Sequence, residues 1–406
     1  MLAMGQRKKK RGHVVPALTL DARLKRKVRD QLRELGFTRR EGELVSPAST
    51  KDSIRALHAV QRRELLAREK AFIASALGRL EGYFADGNEV DVRRLSPRLE
   101  LIESGTWQAD LFRLASLSWS VPVSRGFGRR LRYLVWDDAC NKLIGLFALG
   151  DPVFNMRARD EFVGWNIADR SARLVNVMDA YVLGAVPPYN KLLGGKLVAS
   201  LIRTTKVRDD FRKRYGAARG IISGRLKRAR LAIVTTTSSL GRSSIYNRLR
   251  LAGQDYFSPL GFTGGWGHFH IRDSLFEDLR TFLRRRGHLY VDGHQFGDGP
   301  SWRLRTIREA LKELGFQGDM LRHGVGREVF AAELASNARD VLTGKARRPL
   351  YSNLLSVAQV SALAKERWII PRAEREPDFK LWKRQMFVDL LNGHAASLSA
   401  NQVRRR

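Results

Sequence analysis

Apolar positions recur at helical spacing in the first part of the chain, change to strand-like runs near Arg125, and return to helical spacing after Ile271. Leu24, Val28, Leu32 and Leu35 share one face of a helix over 21–36, and Gly36 stops it. Its other face carries Arg23, Lys25, Arg26, Lys27 and Arg29. A second helical stretch begins near Thr50 and runs past Phe72, with turn punctuation at Asp86-Gly-Asn88 and Ser96-Pro97. Residues 17–119 therefore read as a basic helical region, preceded by a basic arm over 1–16.

The middle reads differently. Leu131 to Trp136 and Lys142 to Leu149 flank the polar stretch Asp137–Asn141, which predicts a β-hairpin. The run from Leu174 to Val198 predicts a strand, a Pro187-Pro188 turn, and a loop whose Gly194-Gly195 opens an apolar helix. A backbone so arranged offers amide N–H groups to a phosphate. The same pair also lets a helix pack closely on a sheet, and residue types alone leave both readings open. A strand over 229–237, a short helix over 243–251 and a glycine-rich, hairpin-like segment over 256–271 complete an α/β domain assigned to 120–272.

Past it, Ser274-Leu-Phe-Glu277 has the form of a capping box, and the helix it opens ends at Gly287. Leu304, Ile307, Leu311 and Leu314 make the next stripe, ended by Gly315. Residues 325–342 and 356–368 predict further amphipathic helices, and 371–377 a loop. These form a helical C-terminal region over 273–385, followed by a tail over 386–406.

Charge changes the picture more than composition does. Hydrophobic residues at 43% support a sizeable core, but 74 Lys+Arg against 41 Asp+Glu give a net charge of +33, which calls for a polyanionic partner, DNA above all. The cations are spread along the chain: Arg7, Lys8, Lys9 and Lys10 in the arm, Arg212, Lys213 and Arg214, then Lys227 and Arg228, and Arg284, Arg285 and Arg286. Engagement of about 8 phosphates gives a slope of log K against log salt near −7. A single cysteine, Cys140, excludes an internal disulfide and a cysteine-based zinc finger, and points to the cytoplasm. No stretch approaches the ~20 apolar residues of a membrane span.

The order hairpin, strand, glycine loop, helix, strand resembles the GNAT acyltransferases. Arg132 to Asp151 resembles that family's second and third strands, Leu174 to Val198 its fourth strand and pyrophosphate helix, and Leu231 to Thr237 its fifth strand. Tyr256 to Phe262 is similar to the Tyr…Gly-Phe element that follows. The resemblance implies a GNAT-like mixed sheet flanked by N- and C-terminal helical regions, with acetyl-CoA as cofactor. It implies Lys191, Gly194, Gly195 and Lys196 at the pyrophosphate and Tyr256 as general acid. Lys196 departs from the family's small residue at its position.

Longer strings at 120–130, 150–155, 179–189, 240–249, 266–270 and 322–328 resemble the Druantia anti-phage DruA family over roughly residues 50–385. That resemblance implies a role in antiviral defence or DNA mobility, with other defence proteins as partners, and carries no catalytic residues across. A rival reading rests on His268-Phe-His270, which resembles the HUH nucleases: on a strand both imidazoles point to one side, and a tyrosine such as Tyr246, Tyr256 or Tyr290 attacks a metal-polarised phosphodiester. His294, with Asp298, lines a polar loop that is either a further site or a helix cap made with Ser301. A third reading is a DNA-binding subunit on an acyltransferase scaffold that no longer catalyses.

Overall fold

The computed structural model describes residues 18–41, 43–47, 50–124, 126–219, 224, 226–292, 302–316 and 318–393. The chain forms two compact units, and each draws on two separated stretches. The smaller comprises Met1–Pro47 and His270–Arg322, and the larger Ala48–Phe269 and His323–Arg406. The larger runs across the linear boundary expected at 119/120, and the smaller across the one expected at 272/273.

In the smaller unit the helices are α1 (Leu20–Glu34), α9 (Asp273–Arg285) and α10 (Trp302–Glu313). The stripe Leu24, Val28 and Leu32 is buried, as are Leu275, Leu279, Phe282 and Leu283 of α9. The Gln31 amide donates to the His270 carbonyl at 2.7 Å, and Lys27 pairs with Asp278 at 2.6 Å, tying α1 to α9. Gly287 and Gly315 follow α9 and α10 with φ of +67° and +70°, as stop residues should. The capping box expected at Ser274 does not form: α9 starts two residues earlier than that box requires, with Arg272 at its N-cap and no side-chain cap bond.

The larger unit is built on a seven-stranded mixed sheet. Its strands are β1 (Pro97–Leu101), β2 (Arg130–Asp137), β3 (Lys142–Gly150), β4 (Val177–Ala185), β5 (Ile233–Thr237), β6 (Ser258–Phe262) and β7 (Glu328–Glu333). Their order across the sheet is β6-β7-β5-β4-β3-β2-β1. Only β4 and β5 run parallel; every other neighbour is antiparallel. The predicted hairpin is β2–β3, with Tyr133 opposite Phe147 and their rings stacked 4.6 Å apart. Around the sheet lie α2 (Lys51–Arg68), α3 (Lys70–Leu80), α4 (Trp107–Ser116), α5 (Arg157–Val163), α6 (Ile167–Arg173), α7 (Gly194–Leu201), α8 (Thr205–Tyr215), α11 (Ala338–Thr343), α12 (Val357–Ala364), α13 (Ile370–Arg375) and α14 (Arg384–Leu391).

The sheet's two faces are covered differently. One packs a continuous core from Leu131, Tyr133, Phe147, Met178, Ala180 and Phe330 with Leu197 and Val198 of α7. The other carries two separate clusters, one around Trp136, Leu146 and Val182, the other around Val177, Ile233 and Ala331.

Several expected elements differ. Residues 325–342 are strand β7 followed by α11, because Val329, Phe330, Ala331 and Ala332 form a buried interior strand between β5 and β6. In so short an apolar run, periodicity does not separate strand from helix. Residues 256–271 form no hairpin of their own, since β6 pairs with the distant β7. The helix expected over 243–251 is a single 3-10 turn, Tyr246–Arg248. The loop expected at 371–377 begins as α13, entered through a wide turn over Lys365–Ile369, with Pro371 in the first turn, where no N–H is required. β1 lies inside the region expected to be mostly helical.

Candidate functional site

The expected phosphate loop has the local form predicted, but two of its donors are spent internally. The Gly194 N–H donates to the Tyr189 carbonyl at 2.8 Å, and the Lys196 N–H to the Leu193 carbonyl at 2.8 Å. A Cβ on Gly194 would stand 2.5 Å from the Tyr189 oxygen and 3.1 Å from Ala185 Cβ, so this glycine is needed for close packing. A Cβ on Gly195 would meet only Ile245 Cδ1, at 3.4 Å, an ordinary contact.

The two lysines are also engaged. Lys196 Nζ lies 5.2 Å from the Trp368 ring centre and 3.5 Å from the Arg248 carbonyl, and burial followed by Arg248 and Arg367 holds its pKa below the usual lysine range. Lys191 Nζ lies 5.9 Å from the Trp382 ring centre.

The β4–β5 pairing covers Val177–Ala180 against Ile233–Thr236, after which β4 runs on to Ala185 while β5 ends at Thr237. The segment after β5 folds back there. Tyr246 is hydrogen-bonded to Thr236 and packs on Phe257 and Phe330. The buried Glu328 carboxylate holds this segment by accepting from Ser243 N–H and Asn247 Nδ2, both at 2.9 Å. Surface hollows of about 380 and 490 Å³ lie on α5 and α1, and neither touches the glycine pair. The Gly194 and Lys196 amides are thus turned to the chain's own carbonyls and not to a pyrophosphate.

Tyr256 is buried beneath the Arg203 guanidinium, 5.0 Å from its ring centre. Burial raises its hydroxyl pKa and Arg203 opposes the rise. Residues 268–270 form a bend and turn, so His268 and His270 are not presented side by side on a strand. His270 is buried, its Nε2 2.9 Å from the Met320 carbonyl, which only accepts, so Nε2 carries the proton. Burial lowers its pKa, against the Met320 bond. His268 is half-buried in the larger unit, whereas His270 belongs to the smaller. No group of three or more His, Cys, Asp or Glu suited to a metal occurs among the described residues. His294, Arg7, Lys8, Lys9 and Lys10 lie outside the described residues.

The basic residues divide into those with and those without acidic partners. Arg286 pairs with Asp21 at 2.8 Å and Glu313 at 2.9 Å, and so serves its own unit, while Arg284 and Arg285 are exposed. The larger unit concentrates charge at the end of α8. Residues 212–230 contain eight basic residues and no acidic one. Their backbone runs from α8 into a two-stranded ribbon, Ala218–Arg219 against Leu226–Lys227. Val207 and Phe211 anchor α8 in the core, leaving Arg212, Lys213 and Arg214 exposed; Arg214 approaches Glu103 at 3.9 Å.

The fold then adds cations from a distant segment. Tyr351 donates its hydroxyl to the Leu231 carbonyl at 3.0 Å, and Arg230 Nη1 lies 3.5 Å from the Arg347 carbonyl. Arg212, Lys213, Arg228, Arg230, Arg347 and Arg348 are all exposed, and none has a carboxylate partner among the described residues. Arg347 and Arg348 escape a reading by sequence neighbourhood, because Tyr351 joins their segment to residues 230 and 231 only in three dimensions.

A family model described as "Druantia protein DruA" matches residues 48–344. The chain belongs to the Druantia DruA family. It is 55% identical over 374 residues to a "Druantia protein DruA" of Escherichia coli (strain UMEA 4076-1), a match covering 92% of this chain and 92% of that protein. No solved structure matches it. The family places the chain with an anti-phage defence system, and no helix among its described residues is long and apolar enough to cross a membrane.

One titratable residue stands out that residue patterns did not flag. Asp179 sits on β4 opposite Gly150 and Thr235, between the two clusters that cover that face. Its Oδ1 accepts from Thr235 Oγ1 at 2.8 Å. Burial pushes its pKa up to about 6, against the Thr235 bond and Arg159. The available signal was a lone carboxylate in the apolar run from Leu174 to Leu183.

Proposed function

We propose that the chain serves anti-phage defence as a DNA-binding protein, gripping duplex phosphates with the surface formed by α8, the paired strands Ala218–Arg219 and Leu226–Lys227, and the 345–351 segment. The observation that carries this reading is the set of six exposed cations without carboxylate partners, Arg212, Lys213, Arg228, Arg230, Arg347 and Arg348, gathered from two parts of the chain. Uncompensated cations on one surface are how a protein displaces counterions from a phosphate backbone. Their number predicts a slope of log K against log salt of about −5 on duplex DNA. Replacing Arg212, Arg228 and Arg347 with Glu makes that slope shallower by about 3 and weakens binding to all sequences alike. A wild-type slope near zero overturns the reading.

The scaffold beneath this surface is GNAT-like in our reading. The single parallel pair β4–β5, its parting after Ala180, and a helix opening at Gly194-Gly195 between them support it. The internally bonded amides of Gly194 and Lys196 favour a scaffold that no longer takes acyl-CoA. Calorimetric titration of acetyl-CoA into DNA-free protein gives no heat on this view, and saturable one-site binding refutes it. The turn at 268–270 argues against the metal-dependent nuclease alternative, which predicts nicking lost in His268→Ala.

A further inference from the structure

The β6–β7 pair extends past the sheet as two closely packed loops. The Thr263 N–H donates to the Arg327 carbonyl at 2.9 Å, the Arg327 N–H to Thr263 Oγ1 at 3.1 Å, and the Gly324 N–H to the Gly265 carbonyl at 3.1 Å. Gly265 adopts φ of +68°, and a Cβ there would stand 3.1 Å from the Gly324 backbone, so the loops meet backbone to backbone and hold their shape. On this frame two large aromatic side chains face solvent, Phe262 at 52% exposure and Trp266 at 59%. Isolated exposed aromatics are ordinary, but these two stand close in sequence, Phe262 at the end of β6 and Trp266 on the braced loop that follows.

The surroundings are basic. The Arg327 guanidinium lies 5.6 Å from the Phe269 ring centre and bonds through Nη2 to His58 Nε2 at 3.2 Å, with no carboxylate partner among the described residues. Arg242 is exposed beside it, on the turn whose Gly241 carbonyl accepts the Glu328 N–H. The segments 238–243, 262–268 and 323–327 contain no acidic residue.

We infer that Phe262 and Trp266 are a stacking platform for unpaired bases of single-stranded DNA, with Arg242 and Arg327 supplying charge toward its backbone. Any base has a π-face to lay on an aromatic ring, so such contacts favour single strands without reading sequence. The inference rests on the DNA-binding reading above and extends it to a second surface.

The test is fluorescence anisotropy of the full chain with a labelled oligo-dT and with a labelled duplex of equal length. Phe262→Ala and Trp266→Ala should each weaken single-strand binding about tenfold and leave duplex binding unchanged. Trp266→Phe should restore most of the loss. Both rings are exposed, so the melting temperature stays the same. Wild-type binding to both DNAs that neither alanine variant alters overturns the platform and leaves the DNA-binding reading standing. Equal weakening on both DNAs also overturns it, since the rings then do not distinguish unpaired bases. No binding of either DNA by the wild type removes both readings.

Discussion

Asp179 offers a direct measurement of what the larger unit gives up at its centre. The carboxyl group has an ordinary value of 3.8 and is pushed up to about 6 in the folded chain, chiefly by burial. The unfolded chain releases this proton near 3.8 and the folded chain only near 6, so between these values the folded state binds more protons. Stability therefore falls as pH rises through that window, and the full cost stands above it. Two pK units correspond to about 3 kcal/mol, and the partial exposure of the group reduces this to on the order of 2 kcal/mol. Asp179→Asn removes the charge and keeps an oxygen to accept from Thr235. Urea unfolding at pH 8 should find the variant more stable by about 2 kcal/mol, and at pH 4 the two should coincide. A variant less stable at pH 8, or one offset equally at both pH values, refutes the reasoning. A carboxylate held at such a cost is characteristic of a functional position.

Two further measurements bear on the same unit. His58 is buried, takes a bond from Arg327 on Nε2, and has its pKa lowered from 6.5 to about 4, chiefly by burial. The unfolded state alone takes up this proton as pH falls below 6.5, so the wild type should lose about 3 kcal/mol between pH 6.5 and 4 that a His58→Leu variant does not lose; parallel pH profiles for the two chains would contradict this. At the glycine pair, Gly194→Ala forces a Cβ to 2.5 Å from the Tyr189 oxygen and should destabilise by more than about 2 kcal/mol, whereas Gly195→Ala should change stability by less than about 1 kcal/mol. Equal denaturant midpoints for the two variants would show that the first glycine is not held by packing.

The chain's own residues determined much of this protein. Alternation and a polar loop fixed β2–β3, a stripe of leucines and valines fixed α1, and Gly287 and Gly315 ended α9 and α10 where chain stiffness demands glycine. The excess of 33 positive charges is likewise a property of composition, whatever the fold. Contacts distant in sequence decided the rest. β7 is a strand because β5 and β6 supply backbone partners on either side, and a run of six residues carries too little periodicity to declare that by itself. Gly194-Gly195 has the letters of a phosphate loop, but the Tyr189 carbonyl that takes one of its donors, and Ile245 lying across it, come from how the chain closes. Sequence spreads the arginines along the whole chain, and it is Tyr351 reaching Leu231 that gathers Arg230 and Arg347 into one surface. Local order follows from what each residue prefers; a site depends on which residues folding brings together, and that is set by packing over distances the local pattern does not span.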